Sequence, residues 1–350
     1  MKHETNNANN FGALRLFFAS LVIFSHAPEL VDGDRSREVL SRIFGTISFG
    51  ELAVDGFFLI SGYLILKSFQ TSVTIKSFLI KRVLRIYPGF IVAFLVCIFV
   101  VAPFSGGWQL ISHLSFSKFL QIPFNLLILN SPEVDGFYFS NKINALNGST
   151  WTVWLEFLCY LSIPTMFFLG LHDKRRYAYV LGFSATIFLV LLVTGKDYWL
   201  PYPLRIGAYH SSRLWTAFLI GGAFYYYRDL IAWNNKLNLP CLILLILLMF
   251  SPYTAELAVF TIGAYLLFNF ALNYKNKWLN SVGTRHDISY GVYLYAWPIQ
   301  GLLIQHCPKA SPLLQAVATL LIASIAGYLS WIWVEKPFNQ LKNRWAVKRP

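Results

Sequence analysis

The chain has 350 residues, of which 56% are hydrophobic and only 13% are charged. Soluble domains carry about 25% charged residues, so this composition excludes an ordinary soluble protein and indicates a polytopic membrane protein. The formal net charge of +13 suggests nucleic-acid binding, but the basic residues lie in segments between apolar stretches. The positive-inside rule explains that placement better, so we predict no nucleic-acid partner.

Apolar windows of near-spanning length predict an all-α fold with about ten transmembrane helices in a single integral-membrane domain. They lie at residues 11–28, 48–66, 79–102, 151–171, 178–195, 212–227, 239–252, 256–273, 287–306 and 312–334. Every second window is followed by a basic segment, which places those segments in the cytoplasm. The same reasoning predicts that both termini are cytoplasmic. The short tail after the last window predicts that no soluble domain is appended.

The longest predicted loop, residues 103–150, is rich in aromatic residues, including Trp108, Phe116, Phe119 and Phe124. Loops of this length are usually functional or disordered. The aromatic residues favour a lid or a re-entrant element on the outer face.

The four cysteines are scattered through apolar stretches and have neither CxxC nor CxxH spacing. This pattern is not that of a disulfide framework or of a zinc site. We therefore predict no bound metal.

The first window carries Arg15 near its start and His26 near its end. The step of eleven residues from Arg15 to His26 makes about three turns of helix, so both side chains lie on one face, roughly 16 Å apart. Ionisable residues in a membrane span usually face the bundle interior or a wet cavity. The alternative is a snorkelling arginine and a histidine hydrogen-bonded to a neighbouring helix. The spacing alone does not decide between them.

The second window contains Asp55, which we expect near the outer mouth, and Ser61-Gly62 near the middle. A Ser-Gly pair lets a ligand or another backbone approach closely. Small residues also serve ordinary helix packing, and the pair taken alone favours packing.

The third window begins with Arg82 and Arg85, which are neighbours on one helix face. Two guanidinium groups at this position are suited to bidentate binding of phosphates. Plain anchoring at the cytoplasmic surface explains them equally well.

The fourth window places Glu156 inside an apolar helix, at a depth similar to that of His26. A carboxylate beside an imidazole fixes the tautomer of the ring and raises its basicity, as a general base requires. We therefore predict a contact between Glu156 and His26, although a purely structural ion pair is the alternative.

The ninth window carries Tyr290 and Tyr293 on one helix face, and Glu335 lies at the end of the tenth. Interfacial anchoring is the favoured interpretation of the two tyrosines. Glu335, at the cytoplasmic rim, is expected to balance one of the arginines.

In this order, the motifs resemble those of the acyltransferase-3 family of bacterial inner-membrane proteins. The resemblance rests on Arg-x10-His (Arg15, His26), Phe-Phe-x-x-Ser-Gly (Phe57 to Gly62), Arg-x-x-Arg-Ile-x-Pro (Arg82 to Pro88), Trp-Thr-x-x-x-Glu (Trp151 to Glu156), Ser-Tyr-x-x-Tyr-Leu-x-x-x-Pro (Ser289 to Pro298) and Glu-Lys-Pro (Glu335 to Pro337). None of these motifs is specific alone, but together they cover nearly the whole chain. Ala296 stands where many relatives carry a second histidine, which suggests a distinct subgroup.

The resemblance implies an O-acetyltransferase that uses acetyl-CoA as donor and a polysaccharide or lipid-linked sugar as acceptor, in the bacterial inner membrane and among its lipids. His26, Glu156 and Arg15 are then the expected catalytic residues. The expected donor-binding residues are Arg82, Arg85, Ser61, Phe58 and Gly62, and the expected acceptor-binding residues are Asp55, Trp151, Tyr290 and Tyr293.

A transporter or pore is the competing interpretation, because intramembrane Arg, His and Glu residues also mark proton and solute pathways. No inverted repeat is visible in the sequence, and the polar residues gather in the first four windows. Both observations favour the enzyme.

Overall fold

The computed structural model describes residues 9–106, 116–139, 143–194 and 204–345, and within these ranges the chain forms helices and no β-strand. The helices are α1 (Phe11–Asp32), α2 (Val39–Phe44), α3 (Phe49–Thr71), α4 (Ile75–Gly106), α5 (Phe116–Leu127), α6 (Trp151–Phe168), α7 (Lys174–Val193), α8 (Leu204–Tyr226), α9 (Asn238–Leu248), α10 (Ala255–Asn273), α11 (Lys277–Ser281), α12 (Ser289–His306), α13 (Pro312–Ser330) and α14 (Lys336–Trp345). A short π-helical segment, Trp331–Glu335, joins helices α13 and α14.

Each of the ten predicted windows overlaps one of these helices. Within the described ranges, seven helical segments are long and apolar enough to cross a membrane: Phe11–Asp32, Phe49–Thr71, Ile75–Gly106, Trp151–Phe168, Lys174–Val193, Ala255–Asn273 and Pro312–Leu341. This confirms an all-α chain with several helices that can span a membrane. The count of ten and the cytoplasmic termini stay predictions, because α8, α9 and α12 are not among the seven.

Helix α3 is central to the packing, since it lies against α1, α6 and α8. The helix begins at Phe49 because Ser48 and Glu51 form a capping box. The Ser48 hydroxyl accepts a hydrogen bond from the Glu51 backbone N–H at 3.1 Å, and the Glu51 carboxylate accepts one from the Ser48 N–H at 2.9 Å. These bonds satisfy N–H groups that a helix leaves free at its start.

Gly62 lies at a backbone-to-backbone contact between α3 and α8. A Cβ atom at Gly62 would lie 1.8 Å from the carbonyl oxygen of Phe218, and one at Gly221 would lie 2.0 Å from the carbonyl oxygen of Leu59. Only glycine permits this approach. The packing interpretation of Gly62 is therefore confirmed.

Substitution of Gly62 should strongly destabilise the protein. We expect Gly62→Val to lower the thermal midpoint in detergent and the yield of monodisperse protein, since overpacking costs about 1–3 kcal/mol or more. Gly182→Val is the matched control, because Gly182 is an exposed helical glycine at which a Cβ meets nothing within 4 Å. A Gly62→Val protein as stable as the control would contradict the packing described above.

The segment between α5 and α6 is fastened to α12. Asn147 donates a hydrogen bond to the Leu294 carbonyl oxygen at 2.8 Å, and the Trp297 indole donates one to the Ala145 carbonyl oxygen at 3.0 Å. The side chains of Phe119 and Phe124 are exposed. Trp108 and the side chain of Phe116 lie outside the described part of the chain, and the lid stays a prediction.

Candidate functional site

Two cavities lie side by side along α1. The first, here called the arginine cavity, has a volume of about 360 Å³, and its charged lining residues are Arg15, Arg82, Arg85, Glu156 and Asp287. The second, the histidine cavity, has a volume of about 570 Å³, and its ionisable and tryptophan lining residues are His26, Arg35, Glu51, His210, Arg213, Trp151 and Trp154. Arg15 lines one cavity and His26 the other, so both residues of the first motif face the interior.

The two cavities share three lining residues, Val54, Thr152 and Tyr293, which we call the shared wall. The Tyr293 hydroxyl lies 2.6 Å from the Thr152 hydroxyl and donates a hydrogen bond to the Ser149 carbonyl oxygen at 2.7 Å. The polar half of the wall is thus fixed by hydrogen bonds between α6 and α12. Val54 supplies an apolar face from α3.

Arg85 is held between two carboxylates. Its guanidinium lies 2.8 Å from Asp287 and 3.3 Å from Glu335, and Asp287 lies 3.4 Å from Arg15. The prediction that Glu335 balances an arginine is confirmed. The expected use of Arg85 as a phosphate ligand is less favoured by this geometry, because both carboxylates already pair with its guanidinium.

Arg82 has a different environment. Its guanidinium donates to the Ser68 hydroxyl at 3.3 Å and lies over the rings of Phe78 and Tyr160. No carboxylate lies within ion-pair distance of Arg82 among the residues the structure describes. A half-buried guanidinium of this kind is suited to an anionic ligand.

Four buried polar atoms that have no hydrogen-bond partner belong to residues lining the arginine cavity. They are Arg15 Nε, Arg82 Nε, Trp331 Nε1 and Asn339 Oδ1. A buried polar group without a partner costs about 1–3 kcal/mol, and such groups are rare in proteins. Their concentration here, three donors and one acceptor, indicates a binding site for a polar ligand.

Glu156 contacts α3 and not α1. Its Oε1 atom accepts hydrogen bonds from the Ser61 hydroxyl at 2.9 Å and from the Tyr160 hydroxyl at 2.5 Å. The predicted contact with His26 is therefore wrong. Similar depth in the membrane placed the two side chains at one level, but the packing of α6 turns Glu156 into the arginine cavity.

His26 has a carboxylate partner from its own helix. Its Nδ1 atom lies 3.1 Å from Glu29 Oε2, and the same oxygen lies 3.0 Å from Arg35 Nε. Since an ionised carboxylate only accepts hydrogen bonds, Nδ1 carries a proton, and in the neutral ring the lone pair is then on Nε2. The Trp297 ring packs edge-on against the imidazole, with centroids 4.9 Å apart.

Asp55 does not line either cavity, so the geometry does not favour its acceptor-binding role, which stays a prediction. Its side chain is fully buried, and its Oδ2 atom lies 2.8 Å from Arg213 Nη2. Asp55 is the counterion of an arginine that does line the histidine cavity. Gly62 likewise lines neither cavity, so its expected donor-binding role is also not favoured and stays a prediction.

Sequence analysis missed Arg213, Glu256 and Glu29. Arg213 and Glu256 both fall inside predicted windows, where the argument applied to Arg15 holds equally. Glu29 lies three residues after His26, a spacing that brings two side chains together on one helix face.

The four aromatic residues that were predicted to bind donor or acceptor all line the cavities. Tyr290 and Tyr293 are interior, so the interfacial anchoring favoured for them is wrong; Tyr290 donates to the Ile86 carbonyl oxygen at 3.0 Å. Phe58 is buried at the arginine cavity. Trp151, with 43% of its surface exposed, lines the histidine cavity.

Asp287, in the loop before α12, should make stability depend on pH. Burial opposes its ionisation, but Arg15, Arg85 and the Ser289 hydroxyl outweigh this and lower its pKa from 3.8 to about 2. Because the folded-state pKa of Asp287 is depressed, ionised Asp287 adds about 2 kcal/mol to the free energy of unfolding. This contribution is complete above pH 4 and is lost as pH falls through 2.

The measurement compares thermal midpoints of the wild type and Asp287→Asn in detergent at several pH values. We expect the wild type to be more stable at pH 6 and the difference to shrink between pH 4 and pH 2. A difference that does not change over this range would show that the Asp287 charge does not stabilise the fold.

Comparison with known proteins identifies one family. A family model described as an acyltransferase domain matches residues 9–334. An O-acetyl transferase of Shigella phage Sf6 is 30% identical over 351 aligned positions, covering 95% of this chain and 96% of that protein. Nodulation protein 10 of Rhizobium leguminosarum biovar viciae is 30% identical over 196 positions, 53% of this chain and 51% of that protein. No solved structure matches significantly.

Proposed function

This chain belongs to the acyltransferase-3 family, and from that membership we propose that it transfers an acetyl group from cytoplasmic acetyl-CoA to a hydroxyl of a cell-surface polysaccharide or lipopolysaccharide sugar. It is an O-acetyltransferase with helices that can span a membrane. Its relative is a named O-acetyl transferase, which favours an enzyme over the transporter alternative. The bacterial inner membrane is the proposed location.

The observation that carries the proposal is the junction of two chemically different cavities at the shared wall. The arginine cavity has unpaired donors on Arg15 and Arg82, which suit the phosphates and amides of a CoA ester. Bound there, acetyl-CoA supplies the activated acyl group. We propose that Arg82 is the main phosphate ligand and that Arg85 positions the carboxylates around it.

The histidine cavity suits a sugar. Trp151 and Trp154 offer aromatic faces, and Ser25, Glu51 and His210 offer polar groups along its lining. Aromatic surfaces with a few polar groups are typical of sites that bind amphipathic organic ligands.

We assign His26 as the general base. Its Nε2 lone pair removes the proton from the acceptor hydroxyl, the new oxygen–carbon bond forms as the carbon–sulfur bond of the thioester breaks, and His26 returns the proton to the sulfur. Transient acetylation of His26 is the alternative course. Glu29 holds the tautomer and stabilises the imidazolium.

Ser61 and Arg15 have different roles in this scheme. The Ser61 hydroxyl has one hydrogen, and that hydrogen is donated to Glu156. Ser61 is therefore a poor donor to the thioester oxygen. Arg15, with Nε unpartnered and in the same cavity, is the proposed donor to the developing oxyanion.

The test uses surface polysaccharide from cells lacking the protein and from cells complemented with wild type. Proton NMR should show ester-linked acetate only after complementation, and purified protein in nanodiscs should release free CoA from acetyl-CoA only when the polysaccharide is present. Unchanged acetate in the deletion, or solute flux with no ester formed, would contradict the proposal.

A further inference from the structure

We propose that the shared wall limits the acyl group to a short chain and that Val54 is a specificity-determining residue. The inference rests on the proposed function, because it assumes that the acyl group moves from the arginine cavity to the histidine cavity. Val54, Thr152 and Tyr293 are the residues that line both cavities. The two cavities adjoin at these side chains, so the proposed crossing of the acyl group lies between them.

Two of the three wall residues cannot move easily. Tyr293 and Thr152 are joined to each other and to the Ser149 carbonyl oxygen through hydrogen bonds of 2.6 and 2.7 Å. The Tyr293 ring is also supported by Phe57, with ring centroids 5.7 Å apart. Thr152 and Tyr293 are buried, with 5% and 8% of their surfaces exposed. Widening the wall at this side would break a fixed polar contact.

Val54 is the adjustable residue of the wall. Its side chain is half-buried and apolar, so it takes part in no hydrogen bond. Its neighbours Ala53 and Asp55 point away into packed interior, where both are fully buried. Changing the size of this one side chain alters the width of the passage without removing a polar partner.

The wall lies close to the proposed base. Tyr293 and Trp297 are four residues apart on α12, and Trp297 packs against His26. Side chains four apart on a helix are neighbours, so the wall is about one turn of helix away from the imidazole. An acetyl carbon in the wall is thus near the base, whereas each further methylene of a longer chain must fit between the same three side chains.

The discrimination that an apolar pocket makes between two substrates has a known magnitude. One methylene in a hydrophobic pocket changes the specificity ratio by about 10- to 200-fold. Removing the two methyl groups of Val54 should therefore admit a longer acyl chain. Adding one carbon at the same place should reject even a propionyl group.

The experiment measures, for each variant, the ratio of butyryl to acetyl transfer from an equimolar mixture of the two CoA esters to the same polysaccharide. Val54→Ala should raise this ratio by about 10-fold or more. Val54→Leu should lower the propionyl-to-acetyl ratio by a similar factor. Because each ratio is measured within one preparation, the amount of folded protein does not affect it. If one of the two variants does not fold, the other alone tests the inference.

Two matched controls make the same chemical change on one cavity only. Val153 lines only the arginine cavity and Val22 only the histidine cavity, so Val153→Ala and Val22→Ala should keep the wild-type ratio. A ratio unchanged in Val54→Ala, or raised equally in the controls, would overturn the inference. Failure of the wild type to transfer acetyl at all would instead overturn the proposed function.

Discussion

His26→Ala should reduce acetyl transfer by about 10²- to 10⁴-fold, the contribution expected of a general base. The variant should accumulate in the membrane at the wild-type level, because within the described part of the chain the imidazole has one hydrogen-bond partner, Glu29, and one aromatic ring contact, Trp297. The measurement is CoA release by purified protein in nanodiscs, together with ester-linked acetate on polysaccharide from complemented cells. Wild-type activity in a His26→Ala protein would remove His26 from the mechanism.

The role of Glu29 is tested through His26. We expect Glu29→Gln to lower kcat by about 10- to 100-fold, the equivalent of one hydrogen bond to a charged group, with little change in KM for acetyl-CoA. In the His26→Ala background the same change should have no further effect, because the two residues act as a unit.

Glu156→Gln is the matched control for that double-mutant cycle. Glu156 contacts Ser61 and Tyr160 in the arginine cavity, so its effect should add to that of His26→Ala. If Glu156→Gln is the change that loses its effect in the His26→Ala background, and Glu29→Gln remains additive, then Glu156 is the functional partner of His26.

The sequence was sufficient to predict the helices and the position of Arg15 and His26 on one helix face. Hydrophobic length determines where a chain can span a membrane, and an eleven-residue step places both side chains on one face whatever the tertiary packing. The partner of His26 was not predictable from depth alone. Which carboxylate reaches the ring depends on the rotation of α6 about its axis, and that rotation is set by packing.

Arg213 illustrates a second limit. Its position within a predicted span was a signal that the sequence analysis did not use, and its partners lie on two other helices, α3 and α10. Asp55 lies 2.8 Å away, while Glu51 and Glu256 each lie 3.9 Å away. Such a cluster forms only when α3, α8 and α10 meet. A single sequence does not encode the meeting of helices in any local pattern, so Asp55 was assigned to the acceptor.

Arg82→Ala should raise the KM for acetyl-CoA by about 10- to 100-fold and leave the thermal midpoint near that of the wild type. The reason is that Arg82 has a neutral partner in Ser68 and a buried Nε atom without a partner. Arg85→Ala should instead destabilise the protein. It removes one of the two arginines that pair with Asp287 and an arginine that pairs with the buried Glu335, and breaking a buried pair costs about 3–5 kcal/mol.

The two arginines are thus separable although they lie three residues apart on one helix. Lys81→Ala is the matched control, because Lys81 adjoins Arg82 and bonds to Ser72 but does not line the arginine cavity. If positive charge at this surface acted only as a membrane anchor, Lys81→Ala and Arg82→Ala would have equal, small effects on KM. A large KM effect confined to Arg82, with a stability effect confined to Arg85, would show that one guanidinium binds the donor while its neighbour holds the cavity together.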